Sequence, residues 1–201
     1  MEFRDLVRRR RMVRHYRDEP LPPEALERIL DAARRAPSAG NAQGQHLVVL
    51  TDPDLRRRVA ALAGEESYRA RGFDPWLSRA PVHVVLCCRE EDYHARYREA
   101  DKLGPDGLER PWPVPYWHLD AGCTLMLLLL AAVDEGLAAG FLGGHRLAGL
   151  GELLGLPEDV EVLGLVTLGR AAPDRPSRSA ARGRRPREQV IHREGWDPPS
   201  G

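Results

Sequence analysis

The chain has 201 residues, with 30 basic and 30 acidic side chains and a formal net charge of +0. This balance excludes a whole-chain field that gathers polyanions, so a nucleic-acid or membrane-surface role would have to rest on local patches. Cys87, Cys88 and Cys123 have neither zinc-site nor disulfide-framework spacing, and the expectation is one ordinary domain in a reducing cytoplasm.

The chain opens on "RRRRMVRHY", Arg8 to Tyr16, which lacks the apolar segment of a signal peptide. Pro22 and Pro23 then precede "EALERILDAARRA", in which Leu26, Ile29, Leu30 and Ala33 recur at helical spacing up to the break at Pro37. The next stretch, "APSAGNAQGQ", holds Asn41, the only asparagine of the chain, beside Gln43 and Gln45. A turn needs only Gly or Ser, so this placement hints at a required amide.

"HLVVL" from His46 predicts a short buried strand, and "DPDLRRRVAALAG" a helix opened by Asp52 and Pro53. "VHVVLCC" from Val82 predicts a second strand. Residues 89–116 then read as a lid-like insertion, stiffened by Pro111, Pro113 and Pro115 and carrying Trp112 and Tyr116. An apolar helix is expected from about Trp117 to Leu137; its most apolar run is shorter than the ~20 residues of a bilayer span, so it reads as a core helix. "GLAAGFLGGHRLAG" follows as a glycine-rich segment where backbone can approach a flat ligand. "VEVLGLVTLG" from Val160 predicts a third strand, and the polar tail from Ala171 would need a large surface to lie against, such as a second subunit.

No dinucleotide glycine fingerprint, phosphate-binding Walker loop, nucleophile elbow or His-Glu-x-x-His helix is present. His83 reads as a core histidine, and Cys87 and Cys88 as packing residues. What remains is arginine at both ends, Arg10, Arg11 and Arg14 against Arg182, Arg184, Arg185 and Arg187. Guanidinium forks from distant segments suit a phosphate, although either run alone is equally a solvated basic stretch.

Taken in order, "RRMVRHY", "APSAGNAQ", "LLLLAAVDEGL", "LGLPEDVEVLGLVTLG" and "RRPREQVIHREGW" resemble the FMN-dependent nitroreductase superfamily over nearly the whole chain. The resemblance implies one α+β domain over residues 1–201, a three-layer α/β/α core with a mainly antiparallel sheet. It implies a homodimer, with the tail at about 171–201 wrapping the partner. It implies tightly bound FMN, NADH or NADPH as co-substrate and a small-molecule acceptor, with no nucleic acid, membrane or metal involved. Arg10, Arg182 and Arg184 would hold the phosphate and Arg14 would approach the N1/C2 edge of the ring, with Arg11 and Met12 also counted among the cofactor-binding residues. Pro37, Ser38 and Asn41 would come from the other subunit and Gly143 and Gly144 would face flavin N5, with Ala39, Gln43 and Leu142 also counted among the cofactor-binding residues. No side chain is required as an acid or base at N5, and Trp112 and Tyr116 would wall the substrate pocket. The implied activity is hydride transfer from NAD(P)H through FMN to a nitroaromatic, quinone or related acceptor in ping-pong order. A flavin-cleaving enzyme that makes dimethylbenzimidazole and a non-catalytic FMN-binding protein are the alternatives.

Overall fold

The computed structural model describes residues 2–173 and 182–196. Four antiparallel strands form one sheet in the order β1-β2-β4-β3: β1 Gln45–Leu50, β2 Val82–Arg89, β3 Ala138–Gly143 and β4 Val160–Gly169. Seven α-helices surround it: α1 Phe3–Arg9, α2 Pro23–Ala33, α3 Pro53–Leu62, α4 Glu65–Arg69, α5 Glu90–Tyr97, α6 Tyr116–Asp134 and α7 Leu150–Leu154. The expected three-layer α+β arrangement is therefore present.

The central strands read as continuous apolar runs because both faces of the sheet are covered. Along β2, Val85 and Cys87 point into one cluster with Val59, Ala60, Trp76 and Leu150, while Val82 and Val84 point into the other with Ile29, Leu128 and Ala132. Helix α2 buries Leu26, Ile29 and Ala33 of the announced stripe together with Ala25, while Leu30 is half-buried. At the start of α3, the Asp52 carboxylate accepts the Leu55 N–H at 2.7 Å and caps the helix.

Three expectations need correction. The apolar helix runs from Tyr116 to Asp134 rather than from Trp117 to Leu137, because Gly136 adopts φ +68° and ends it as a left-handed cap. Within the glycine-rich segment, Ala138–Gly143 forms a strand that the sequence did not announce, paired along its length with β4. Within the expected insertion, residues 90–97 form helix α5, which follows β2 directly. By length and mean hydropathy, 1.5, α6 is long and apolar enough to cross a bilayer. Here Ala121, Thr124, Leu128, Leu129 and Ala132 of that helix are buried in the chain's own core.

Candidate cofactor site

The arginine segment lies along the outer edge of β3. Met12 forms a parallel bridge to Ala139, and the Val13 N–H donates to the Ala139 carbonyl at 2.9 Å. Tyr16 anchors it from below: the ring is 1 % exposed, and its hydroxyl lies 2.9 Å from the Val13 carbonyl and 2.7 Å from Thr167 Oγ1 on β4. Arg10 is half-buried, whereas Arg11, Met12 and Arg14 are exposed. Among the described residues none of these three arginines pairs with a carboxylate, although Arg17, Arg28 and Arg89 do. The Arg14 guanidinium instead sits 5.6 Å from the centre of the Trp76 ring. Arg182 and Arg184 are exposed; the tail around them includes residues 174–181 and 197–201, which lie outside the described residues.

At the end of β3 the chain turns tightly. Gly143 is the last strand residue and pairs with Gly164, and Gly144 begins a 3-10 turn. Glycine is required by the protein's own backbone: a Cβ on Gly144 would meet the Val162 carbonyl at 2.2 Å, and one on Gly140 would meet that of Val13 at 2.3 Å. The glycines left unexplained by the sequence thus let the arginine segment and β4 close on β3. Leu142 and Gly143 are half-buried at this turn.

The amide loop lies on the opposite side of the sheet. Ala39–Asn41 is a 3-10 turn leading into β1, one outer strand, while the arginines flank β3, the other. Three strand spacings of ~4.8 Å separate those edges, so one chain does not bring the two predicted residue sets together. Asn41 and Gln43 have φ of 58° and 56°, a left-handed conformation that favours asparagine for its own sake. The loop is nonetheless built firmly. The buried Asp120 carboxylate accepts the Ala39 N–H at 2.8 Å and the Tyr93 hydroxyl at 2.9 Å, Tyr93 in turn accepts from Gln45, and Arg96 donates to the Gly40 carbonyl at 2.9 Å. Burial, with Asp120 beside it, holds the Tyr93 phenol protonated. Ser38 Oγ accepts the Gln43 N–H at 2.9 Å, Pro37 and Asn41 are exposed, and the Asn41 amide has no partner among the described residues.

Residues 65–79, to which sequence reasoning assigned nothing, support the arginine edge. Buried Glu65 accepts the N–H groups of Trp76, Leu77 and Ser78 at 2.8, 2.6 and 3.2 Å, which fixes the ring under Arg14. His15 faces Asp74 at 3.7 Å, beside a cleft of about 560 Å³ lined by Arg69, Phe73, Asp74 and Arg79. The sequence offered only two adjacent carboxylates, Glu65 and Glu66, with nothing to single out the one that is buried. Trp112 packs on its own chain: its ring lies 4.4 Å from Tyr97 and 6.0 Å from Tyr93, and its N–H donates to Glu109. Tyr116 is 39 % exposed.

His83 is fully buried, its Nε2 at 2.8 Å from the Leu77 carbonyl and its Nδ1 without a partner, and burial pushes its pKa down to about 4. Burial likewise pushes the Cys87 thiol up to about 11 and the Cys88 thiol up to about 12, so both are protonated and neither is a free thiolate nucleophile.

An antiparallel sheet between helix layers, with a cationic edge segment and a tight glycine turn, defines an α+β cofactor-binding fold. The chain belongs to the nitroreductase family, whose sequence profile matches residues 7–170. It is 32 % identical over 195 residues to the FMN reductase [NAD(P)H] of Bacillus subtilis (strain 168), covering 92 % of this chain and 71 % of the relative. It is 29 % identical over 192 residues to the oxygen-insensitive NADPH nitroreductase of Salmonella typhimurium, covering 94 % and 72 %. Among solved structures, B. megaterium NfrA1 superposes with a TM-score of 0.75 at 25 % identity, over 96 % of this chain and 74 % of that one.

Proposed function

We propose that this chain, as a homodimer, passes hydride equivalents from NADH or NADPH to an organic acceptor such as a nitroaromatic or quinone, one pocket serving both in ping-pong order. Family membership carries the coarser statement: the chain is an FMN-dependent NAD(P)H oxidoreductase. Bound FMN supplies a ring that accepts a hydride and releases it again.

The observation that carries the reading is the division of the site between the two outer edges of the sheet. Unpaired guanidinium groups at Arg10, Arg11 and Arg14 suit a phosphate and the electron-rich edge of a flavin ring. A cation at Arg14 favours the anionic, reduced form of such a ring. Ser38, Gln43 and the unpartnered Asn41 amide suit ribityl hydroxyls and ring carbonyls, and in the proposed dimer these residues would meet the arginines of the other subunit. Asp120, Tyr93 and Arg96 hold that loop in place, so the backbone that carries the amide is positioned before a ligand arrives. Arg182 and Arg184 would complete the phosphate site. Tyr116 and the exposed edge of Trp112 would wall the acceptor side.

The test is anaerobic. Purified protein should be yellow or take up added FMN, NADH or NADPH should bleach the visible bands, and a nitroaromatic or quinone should restore them, with parallel double-reciprocal plots in steady state. A colourless protein that fails to take up FMN would overturn the reading.

A further inference from the structure

Three chemically different donors converge where β2 ends, α6 begins and β4 starts. Cys88, His118 and Glu161 each place a ligand atom within 4.8 Å of the other two, the single such group with metal-binding potential among the described residues. The Glu161 carboxylate is the hub: its Oε2 lies 2.7 Å from His118 Nε2 and 3.9 Å from Cys88 Sγ.

This convergence is built by the sheet. Leu86 pairs with Gly164 but Cys87 pairs with Val162, so β4 has a bulge at Leu163. A regular ladder would set Val162 opposite Cys88; the bulge sets Glu161 there instead, on the same face as the thiol. His118 comes from the first turn of α6, whose neighbour Trp117 is buried in a cluster with Cys88 and Tyr93. A His–Glu surface pair alone contributes little, but here the buried Cys88 thiol donates its S–H to the same carboxylate oxygen and adds a third potential ligand.

We propose that Cys88, His118 and Glu161 form a binding site for a divalent transition ion of the zinc type, with a fourth position open to water. Thiolate, imidazole and carboxylate are the donor set of zinc and cobalt, whereas calcium and magnesium take oxygen. A tetrahedral ion at ~2.3 Å from sulfur and ~2.0 Å from nitrogen and oxygen needs donors roughly 3.3–3.5 Å apart. The two recorded separations bracket that range, and His118 and Glu161 are exposed and able to adjust. Coordination displaces the thiol proton, which a dipositive ion at bonding distance favours. The ion would pin the start of α6 to the sheet. Spacings of this kind, across residues 88, 118 and 161, form no recognisable sequence motif.

The test uses untagged, FMN-loaded protein, stripped with a chelator and titrated with cobalt(II). Wild type should bind about one ion per chain tightly, with a thiolate-to-cobalt charge-transfer band and tetrahedral visible bands, and zinc should displace it. Cys88→Ser should abolish the charge-transfer band and Cys123→Ser should keep it. His118→Ala and Glu161→Gln should each weaken binding by roughly tenfold or more. No charge-transfer band in wild type, or a band that survives Cys88→Ser, overturns the site. If Cys88→Ser fails to fold, unchanged cobalt affinity in both exposed-ligand variants overturns it.

Discussion

At the scale of single residues, His83 and Glu65 are buried polar groups with opposite consequences. His83 is neutral in the fold, with its pKa near 4, and regains its ordinary value of about 6.5 when the chain unfolds. Between those values the unfolded chain holds the extra proton, so stability is fully present above pH 6.5 and falls as pH drops toward 4, by roughly 3 kcal/mol. Urea unfolding at pH 7.5 and 4.5 should show that loss in wild type and a markedly smaller pH dependence in His83→Leu; identical slopes would clear His83 as the cause. Glu65 gathers three backbone N–H groups with its carboxylate. Glu65→Ala leaves them without an acceptor and should destabilise by about 3 kcal/mol or more, with Glu65→Gln intermediate, measured by chemical denaturation.

At the scale of elements, the segment between α5 and α6 divides into scaffold and wall. Trp112 is clamped by Tyr93, Tyr97 and Trp117, so Trp112→Ala should lower stability by about 2–3 kcal/mol. Tyr116, more exposed, should be nearly neutral: Tyr116→Ala is expected to leave the melting temperature unchanged while shifting kcat/KM for bulky and small acceptors by different factors. Equal factors for every acceptor would make the segment scaffold throughout. The loop before β1 shows the same division within a few residues, since the left-handed backbone at Asn41 and Gln43 shapes it while the free amide remains available to a ligand.

At the scale of the whole molecule, α6 leaves an apolar surface uncovered. Leu119 and Met126, two helical turns apart, are 57 % and 46 % exposed, and on the nearby α1 Phe3 and Val7 are 67 % and 44 % exposed. In the proposed homodimer a second copy would cover this surface and complete the divided site. Met126→Glu should therefore shift the sedimentation coefficient to that of a monomer and weaken FMN retention together, because one event removes both the interface and the partner's amide loop. A Met126→Glu dimer with full FMN affinity would separate α6 from assembly.

Local pattern determined much of this protein. Helices α2, α3 and α6 and strands β1, β2 and β4 were legible because each buries a continuous face, and burial writes its period into neighbouring residues. The order of the arginine, amide-loop and strand segments was enough to expect the family. What local pattern missed, tertiary contact decided. Strand β3 was not announced because its glycines break the apolar pattern, and Gly140 answers to Val13, a residue far away in the chain. Helix α5 is charged on most sides and shows its purpose only through Tyr93 and Arg96, which hold the amide loop. Glu65 became a structural anchor through contacts 11 to 13 positions along the chain, and Cys88, His118 and Glu161 became one cluster across dozens of positions, set by a bulge in β4. Periodicity reports which face of an element is buried; which distant atoms meet there depends on sheet order and register, and no short window of sequence contains those.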